Sequence, residues 1–156
     1  MKINTLLSSM IVVASLAVNA MAYDTSKAES LDKFYSNMTQ KACADSKLFT
    51  PAEDIMKMFQ EGKKFTLLDI RTAGEASIIA LSAKNSKHIP IENLFEKANL
   101  DTLPTDEPII VVCHSGTRAT LATIGLKRLG FKNTHVLKGG LIALADANNP
   151  KNAPLK

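Results

Sequence analysis

Tryptophan is absent from these 156 residues, and tyrosine and phenylalanine together make only 5% of the chain aromatic. A core built from this sequence must therefore be aliphatic. Cysteine occurs twice, at Cys43 and Cys113, and never as Cys-x-x-Cys, which weakens any dithiol redox role. His88 and His135 lack the paired spacing of a metal site. No compact Lys/Arg cluster is present. The net charge of +4 is too small and too dispersed to argue for nucleic acid, although a mild positive excess favours small anionic ligands. There is no internal repeat, no low-complexity segment and, after Ala22, no apolar run long enough to span a membrane. What is there is a globular balance, 46% hydrophobic and 22% charged, at a length that suits one domain with a real core.

The first 22 residues read as a secretory signal peptide. Lys2 supplies a positive start, Leu6 to Val18 is apolar with small Ser and Ala breaks, and Ala20-Met21-Ala22 is a small-x-small cleavage site. The apolar stretch is shorter than the ~18 residues a spanning helix needs. Cleavage after Ala22 is expected, with a periplasmic destination and no membrane attachment afterwards. No Cys sits at the cleavage point, which argues against a lipid anchor. An oxidising compartment makes a Cys43–Cys113 disulfide the first hypothesis by habit.

Residues 23–46 form an expected helical extension. Ser26 and Glu29 have capping-box spacing, and Leu31, Phe34, Tyr35, Met38 and Ala42 recur at helical spacing as a stripe that should pack on the domain. A second start signal follows, with Thr50 as the cap, Pro51 at the first helical position and Glu53 completing the box. That helix should stop at Gly62. Phe65 to Ile70 suits a buried strand, and His88-Ile89-Pro90 a short strand end. Asn93 to Ala98 is a weak helix signal. Pro108 to Cys113 carries an unbroken β-branched run, so both faces of that strand should be buried. A helix from Thr117 to Leu129 should end at Gly130. His135-Val136-Leu137 is another short strand, followed by Gly139-Gly140 and a helix to about Ala147. Strands alternating with helices imply an α/β fold with a largely parallel central sheet. Residues 47–150 make up this domain, and the polar, Pro-bearing end leaves 151–156 as a tail.

The informative segment is Cys113-His114-Ser115-Gly116-Thr117-Arg118. A buried strand ends at a cysteine, and a loop of small residues leads into a helix. In open α/β sheets, ligand sites lie at the carboxyl ends of strands. Gly116 lets the backbone curl, so the loop N–H groups can converge as an anion-holding nest at a helix N-terminus. Arg118 adds a permanent positive charge. Positive potential stabilises the charged form of an acid, so these surroundings favour a Cys113 thiolate and a nucleophile.

Four motifs, in order, resemble the rhodanese-like domain family over about residues 47–150. Leu68-Asp69-Ile70-Arg71-Thr72 is similar to its Asp-x-Arg strand end, and His88-Ile89-Pro90 with Leu94 to its Ile-Pro segment. Cys113 to Arg118 is similar to its active-site loop, and Leu137-Lys138-Gly139-Gly140 to its Leu-x-Gly-Gly turn. The resemblance implies a rhodanese-like fold with a central, mostly parallel five-stranded sheet flanked by helices. It also implies a sulfurtransferase that takes sulfur from a small anionic donor (thiosulfate or a persulfide) onto Cys113 and passes it to a thiol or cyanide acceptor, with no metal or organic cofactor. In this reading the N–H groups of His114 to Arg118 cradle the outer sulfur. Two departures stand out. Leu144 lies near a position where many members carry Trp, and Ala73 to Lys87 is a differently spaced loop, which bears on acceptor specificity more than on chemistry.

The chemistry has competitors. Phosphatase or arsenate-reductase chemistry uses a Cys-x5-Arg loop wide enough for a tetrahedral oxyanion, whereas the spacing here is Cys-x4-Arg. A persulfide carrier or binding module with little turnover is the other alternative. Residue by residue, Arg118 either faces the anion or projects along the helix surface, and His114 either tunes the thiolate or points to solvent. Asp69 and Arg71 could be catalytic, although a structural ion pair bracing the loop fits them better. A lasting disulfide to Cys43 would block the nucleophile, so Cys43 is read as a structural thiol with a regulatory role as its alternative.

Overall fold

The computed structural model describes residues 23–152. The expected signal peptide and residues 153–156 lie outside the described residues. The chain divides after Ser36 into two compact units.

The first unit carries helix α1, Thr25–Tyr35. Its cap is Asp24, whose side chain accepts from the Lys27 N–H at 3.1 Å, rather than a Ser26–Glu29 box. No residue of α1 is buried; of the expected stripe, Leu31 and Tyr35 are exposed and Phe34 is half-buried. Nor does the helix continue to residue 45. Thr39 starts a separate helix, α2 (Gln40–Asp45), by accepting from the Ala42 N–H. Side-chain capping by Thr39 outcompetes the helical spacing that runs across it.

From Asn37 onward a five-stranded, all-parallel sheet forms the second unit. Its strands are β1 (Phe49–Thr50), β2 (Thr66–Asp69), β3 (Ser86–His88), β4 (Ile109–Val112) and β5 (Thr134–Leu137), in the order β1-β5-β4-β2-β3. β4 is central and wholly buried, as its β-branched run requires. Ile109 and Val111 face one apolar cluster with Leu68, Ala119, Ala122 and Leu126. Ile110 and Val112 face the other, with Ile55, Met56, Leu67, Leu141 and Leu144. Helix α6 (Thr117–Arg128) therefore covers one face of the sheet, while α3 (Ala52–Gln60) and α7 (Gly140–Ala147) cover the other.

Two expected helix stops form as Schellman motifs. Gly62, at φ +63°, follows α3, and the N–H groups of Gly62 and Lys63 donate to Phe59 and Met58. Gly130, at φ +105°, closes α6 with the same pattern, Gly130 to Lys127 and Phe131 to Leu126. The start of α3 differs from expectation. Thr50 pairs in β1 with β5, its carbonyl accepting from Lys138, so Pro51 takes the cap position and no Thr50–Glu53 box forms. The weak helix expected over 93–98 appears further on, as α5 (Lys97–Leu100). Ala73 to Lys87 is not simply a loop, because Thr72 and Glu75 form a full capping box that starts α4, Ala73–Ile78.

Candidate active site at the carboxyl end of β4

Cys113 follows the last residue of the most buried strand, and its side chain is 1% exposed. Its sulfur accepts two backbone hydrogen bonds, from the Gly116 N–H at 3.1 Å and from the Ala119 N–H at 3.4 Å. Gly116 caps α6 at φ +103°, a left-handed conformation that bends the loop back over the sulfur. Of the amides expected to surround sulfur, Gly116 is thus one that points at Sγ. Ala119, beyond the expected loop, is the other. His114, Ser115 and Thr117 are exposed around the rim. The floor beneath the loop is the Gly139-Gly140 turn. The N–H groups of Leu141 and Ile142 donate to the carbonyls of Cys113 and His114 at 2.8 and 3.4 Å.

Arg118 neither reaches freely toward the loop mouth nor projects into solvent. Its Nη1 and Nη2 donate to Glu75 Oε2 and Oε1 at 2.7 and 2.6 Å, a bidentate ion pair with both side chains about one-third exposed. The pair joins the first turns of α4 and α6. Glu75 is held far below the ordinary carboxylate range, first by Arg118 and then by the Thr72 backbone N–H. Arg118 is raised above its ordinary value by Glu75 first, with the Cys113 sulfur adding to the same effect.

Asp69 and Arg71 sit under this pair and are both buried. Arg71 Nε and Nη2 donate to Asp69 Oδ1 and Oδ2 at 2.9 and 2.6 Å, and Nη2 also donates to the Ile79 carbonyl at 2.7 Å. His88 Nε2 lies 2.8 Å from the Arg71 carbonyl; because a carbonyl only accepts, that nitrogen carries a proton. These contacts brace the segment that carries Glu75. Glu75 itself was not among the residues expected at the site, although Thr72-x-x-Glu75 has capping-box spacing in the sequence. Cys43 is exposed, Cys113 is buried, and both are free thiols.

Comparison with known proteins decides the family. The rhodanese-like domain family matches residues 51–147. The chain belongs to this family. Among curated relatives of this rhodanese-like chain, a probable adenylyltransferase/sulfurtransferase MoeZ of Mycobacterium tuberculosis is 28% identical over 107 residues, covering 69% of this chain and 26% of the relative. The chain thus spans about a quarter of that relative's length. A rhodanese-related protein of Thermoplasma volcanium is 30% identical with a TM-score of 0.54, over 65% of this chain and 93% of that one. The rhodanese-like domain of an Anabaena protein is 25% identical with a TM-score of 0.56, over 66% and 76%. The five-stranded parallel sheet is the rhodanese-like fold, and the family is one of sulfur transfer.

Proposed function

We propose that this rhodanese-like domain is a sulfurtransferase that carries sulfane sulfur on Cys113. The observation that carries the reading is the Cys113 sulfur itself. It lies at the carboxyl end of a buried strand and accepts from the N–H groups of Gly116 and Ala119. These are surroundings that stabilise an anion on sulfur.

The cycle has two displacements. The Cys113 thiolate attacks the outer sulfur of thiosulfate, an S–S bond forms as the donor's S–S bond breaks, and sulfite leaves with the electron pair. An acceptor such as cyanide or a thiolate then attacks the outer sulfur of the persulfide, and the Cys113 thiolate is released. The printed name of the Mycobacterium tuberculosis relative includes a sulfurtransferase, which supports the same reading. Phosphate chemistry is disfavoured by the Cys-x4-Arg spacing from Cys113 to Arg118, one residue shorter than the loop that a tetrahedral oxyanion needs. The leader-like residues 1–22 support export, so the domain works in the periplasm.

Incubation with thiosulfate followed by intact mass measurement tests the proposal. The native protein should gain one sulfur atom and lose it on addition of cyanide, while Cys113→Ser should gain none. Repeated turnover with thiosulfate and cyanide distinguishes an enzyme from a carrier. Equal sulfur uptake by Cys113→Ser, or aryl phosphate hydrolysis that depends on Cys113, would overturn it.

A further inference from the structure

A groove of about 1110 Å³ lies between α3, α7 and residues 79–85, which lead into β3. None of Cys113 to Arg118 lines it. Its apolar walls come from Phe65 and Leu67 at the start of β2, Met56 and Phe59 of α3, Leu144 of α7, and Leu81. The backbone along these walls is already paired. Asn85 Nδ2 donates to the Phe65 carbonyl at 2.8 Å, and the Asn85 carbonyl accepts from the Leu67 N–H at 3.0 Å. The Ser86 hydroxyl reaches the Ala83 and Leu81 carbonyls at 2.6 and 3.1 Å. A peptide laid against these residues would find no backbone edge to pair with, and its own N–H and C=O groups would lose water. An alkyl chain has no such groups to satisfy.

The charged residues that line the groove are three lysines, Lys63, Lys64 and Lys84, and one acid, Glu107. Glu107 is taken up, since it pairs with Lys64 at 3.3 Å and accepts from the Thr66 hydroxyl. Lys64 also pairs with Asp106 at 3.3 Å, and Lys63 pairs with Glu61 at 2.7 Å. Lys84 is exposed and has no acid partner among the described residues. One positive charge is therefore left uncompensated beside an apolar groove. We infer that this groove is a binding site for a small amphipathic anion, an alkyl carboxylate. Its chain lies against Phe65, Leu67 and Leu144, and its head group lies at Lys84. The volume suits such a ligand, being just above the ~300–1,000 Å³ common for small-molecule sites. A few polar groups at the edge of an apolar lining are also the usual make-up of such sites. The inference is separate from the chemistry at Cys113 and stands or falls without it.

Titration with dodecanoate below its micelle concentration tests the site, followed by calorimetry and by NMR of methionine methyl groups. Met56 lines the groove and Met38 does not, so binding should be one-to-one and should shift the Met56 signal but not that of Met38. Acetate, which has the head group without the chain, should not bind. Octanoate should bind more weakly, by at most about fourfold for each methylene lost. Dodecyltrimethylammonium, with the same chain and the opposite charge, should bind more weakly than dodecanoate. Lys84→Gln should weaken dodecanoate by about fivefold, the scale of one exposed ion pair. Ala145 and Ala80 both line the groove and are exposed. Ala145→Trp should fill the groove and abolish binding, and Ala80→Trp serves as the second blocking variant should the first fail to fold. Absence of saturable binding would overturn the inference. So would dodecanoate binding that survives both blocking variants, equal affinity for the cationic amphiphile, or an affinity untouched by Lys84→Gln. A dimer in solution that Ala145→Trp dissociates would assign the groove to a second copy of the chain instead.

Discussion

The Leu141 N–H donates to the Cys113 carbonyl at 2.8 Å, which ties the first turn of α7 to the backbone of Cys113. This approach is close enough that position 140 cannot carry a side chain. A Cβ on Gly140 would lie 2.5 Å from the carbonyl oxygens of both Cys113 and His114, at a φ of +61°.

Gly140→Ala should therefore destabilise the fold by about 3 kcal/mol or more, strain and collision together. Gly62 provides the control, since it has a nearly identical φ of +63° but, among the described residues, nothing within 4 Å of where a Cβ would lie. Gly62→Ala should cost only the conformational ~1–2 kcal/mol. Denaturant midpoints of the two variants measure the difference, and equal losses would show that the approach to Cys113 relaxes freely.

Asp69→Asn should cost about 3–5 kcal/mol, because Arg71 would keep its charge in a buried site without the carboxylate that pairs with it. The double variant Asp69→Leu/Arg71→Met should recover most of that loss by removing both charges. It should still loosen the Ile79 end of α4, where the Arg71 bond to the carbonyl is gone. Equilibrium unfolding supplies the first result, and hydrogen exchange at residues 73–79 the second.

Thr123 is fully buried on α6, and its hydroxyl has no hydrogen-bond partner among the described residues. Replacing the hydroxyl by a methyl group of similar size removes an uncompensated polar atom. Thr123→Val should be neutral or stabilising by up to ~1 kcal/mol, read as an unchanged or raised denaturation midpoint. A loss of more than ~1 kcal/mol would mean the hydroxyl does have a partner.

Acid should weaken the Glu75–Arg118 contact. The folded carboxylate is held below its ordinary value of 4.5, so the unfolded chain binds a proton there before the folded one does. Its contribution to stability is therefore complete above the ordinary carboxylate range and is lost as pH falls below it. Glu75→Gln should flatten this part of the stability profile. Denaturant midpoints of the two proteins, measured across the acid range, should diverge toward neutral pH and converge toward strong acid.

Much of this molecule was legible in its residues. The β-branched run before Cys113 marked a central strand, and Gly62 and Gly130 marked helix ends through the one conformation they tolerate better than other residues. Elsewhere short-range signals competed, and the sequence held no rule for the winner. Thr50 has the chemistry of a cap but belongs to β1, because pairing with β5 satisfies its carbonyl. Thr39 does cap, and it breaks a periodicity that otherwise runs straight through it.

The sequence by itself determined the α/β order, the cysteine at a strand end and the Cys-x4-Arg loop, because each is written within a few consecutive residues. The tertiary structure alone decided what Arg118 does. Its partner Glu75 lies 43 residues away in the chain, and only the pairing of β2 with β4, the strands that α4 and α6 follow, brings the two together. Charge pairs at that separation leave no periodicity and no local motif, since a carboxylate anywhere could satisfy a guanidinium until the fold fixes which one is near.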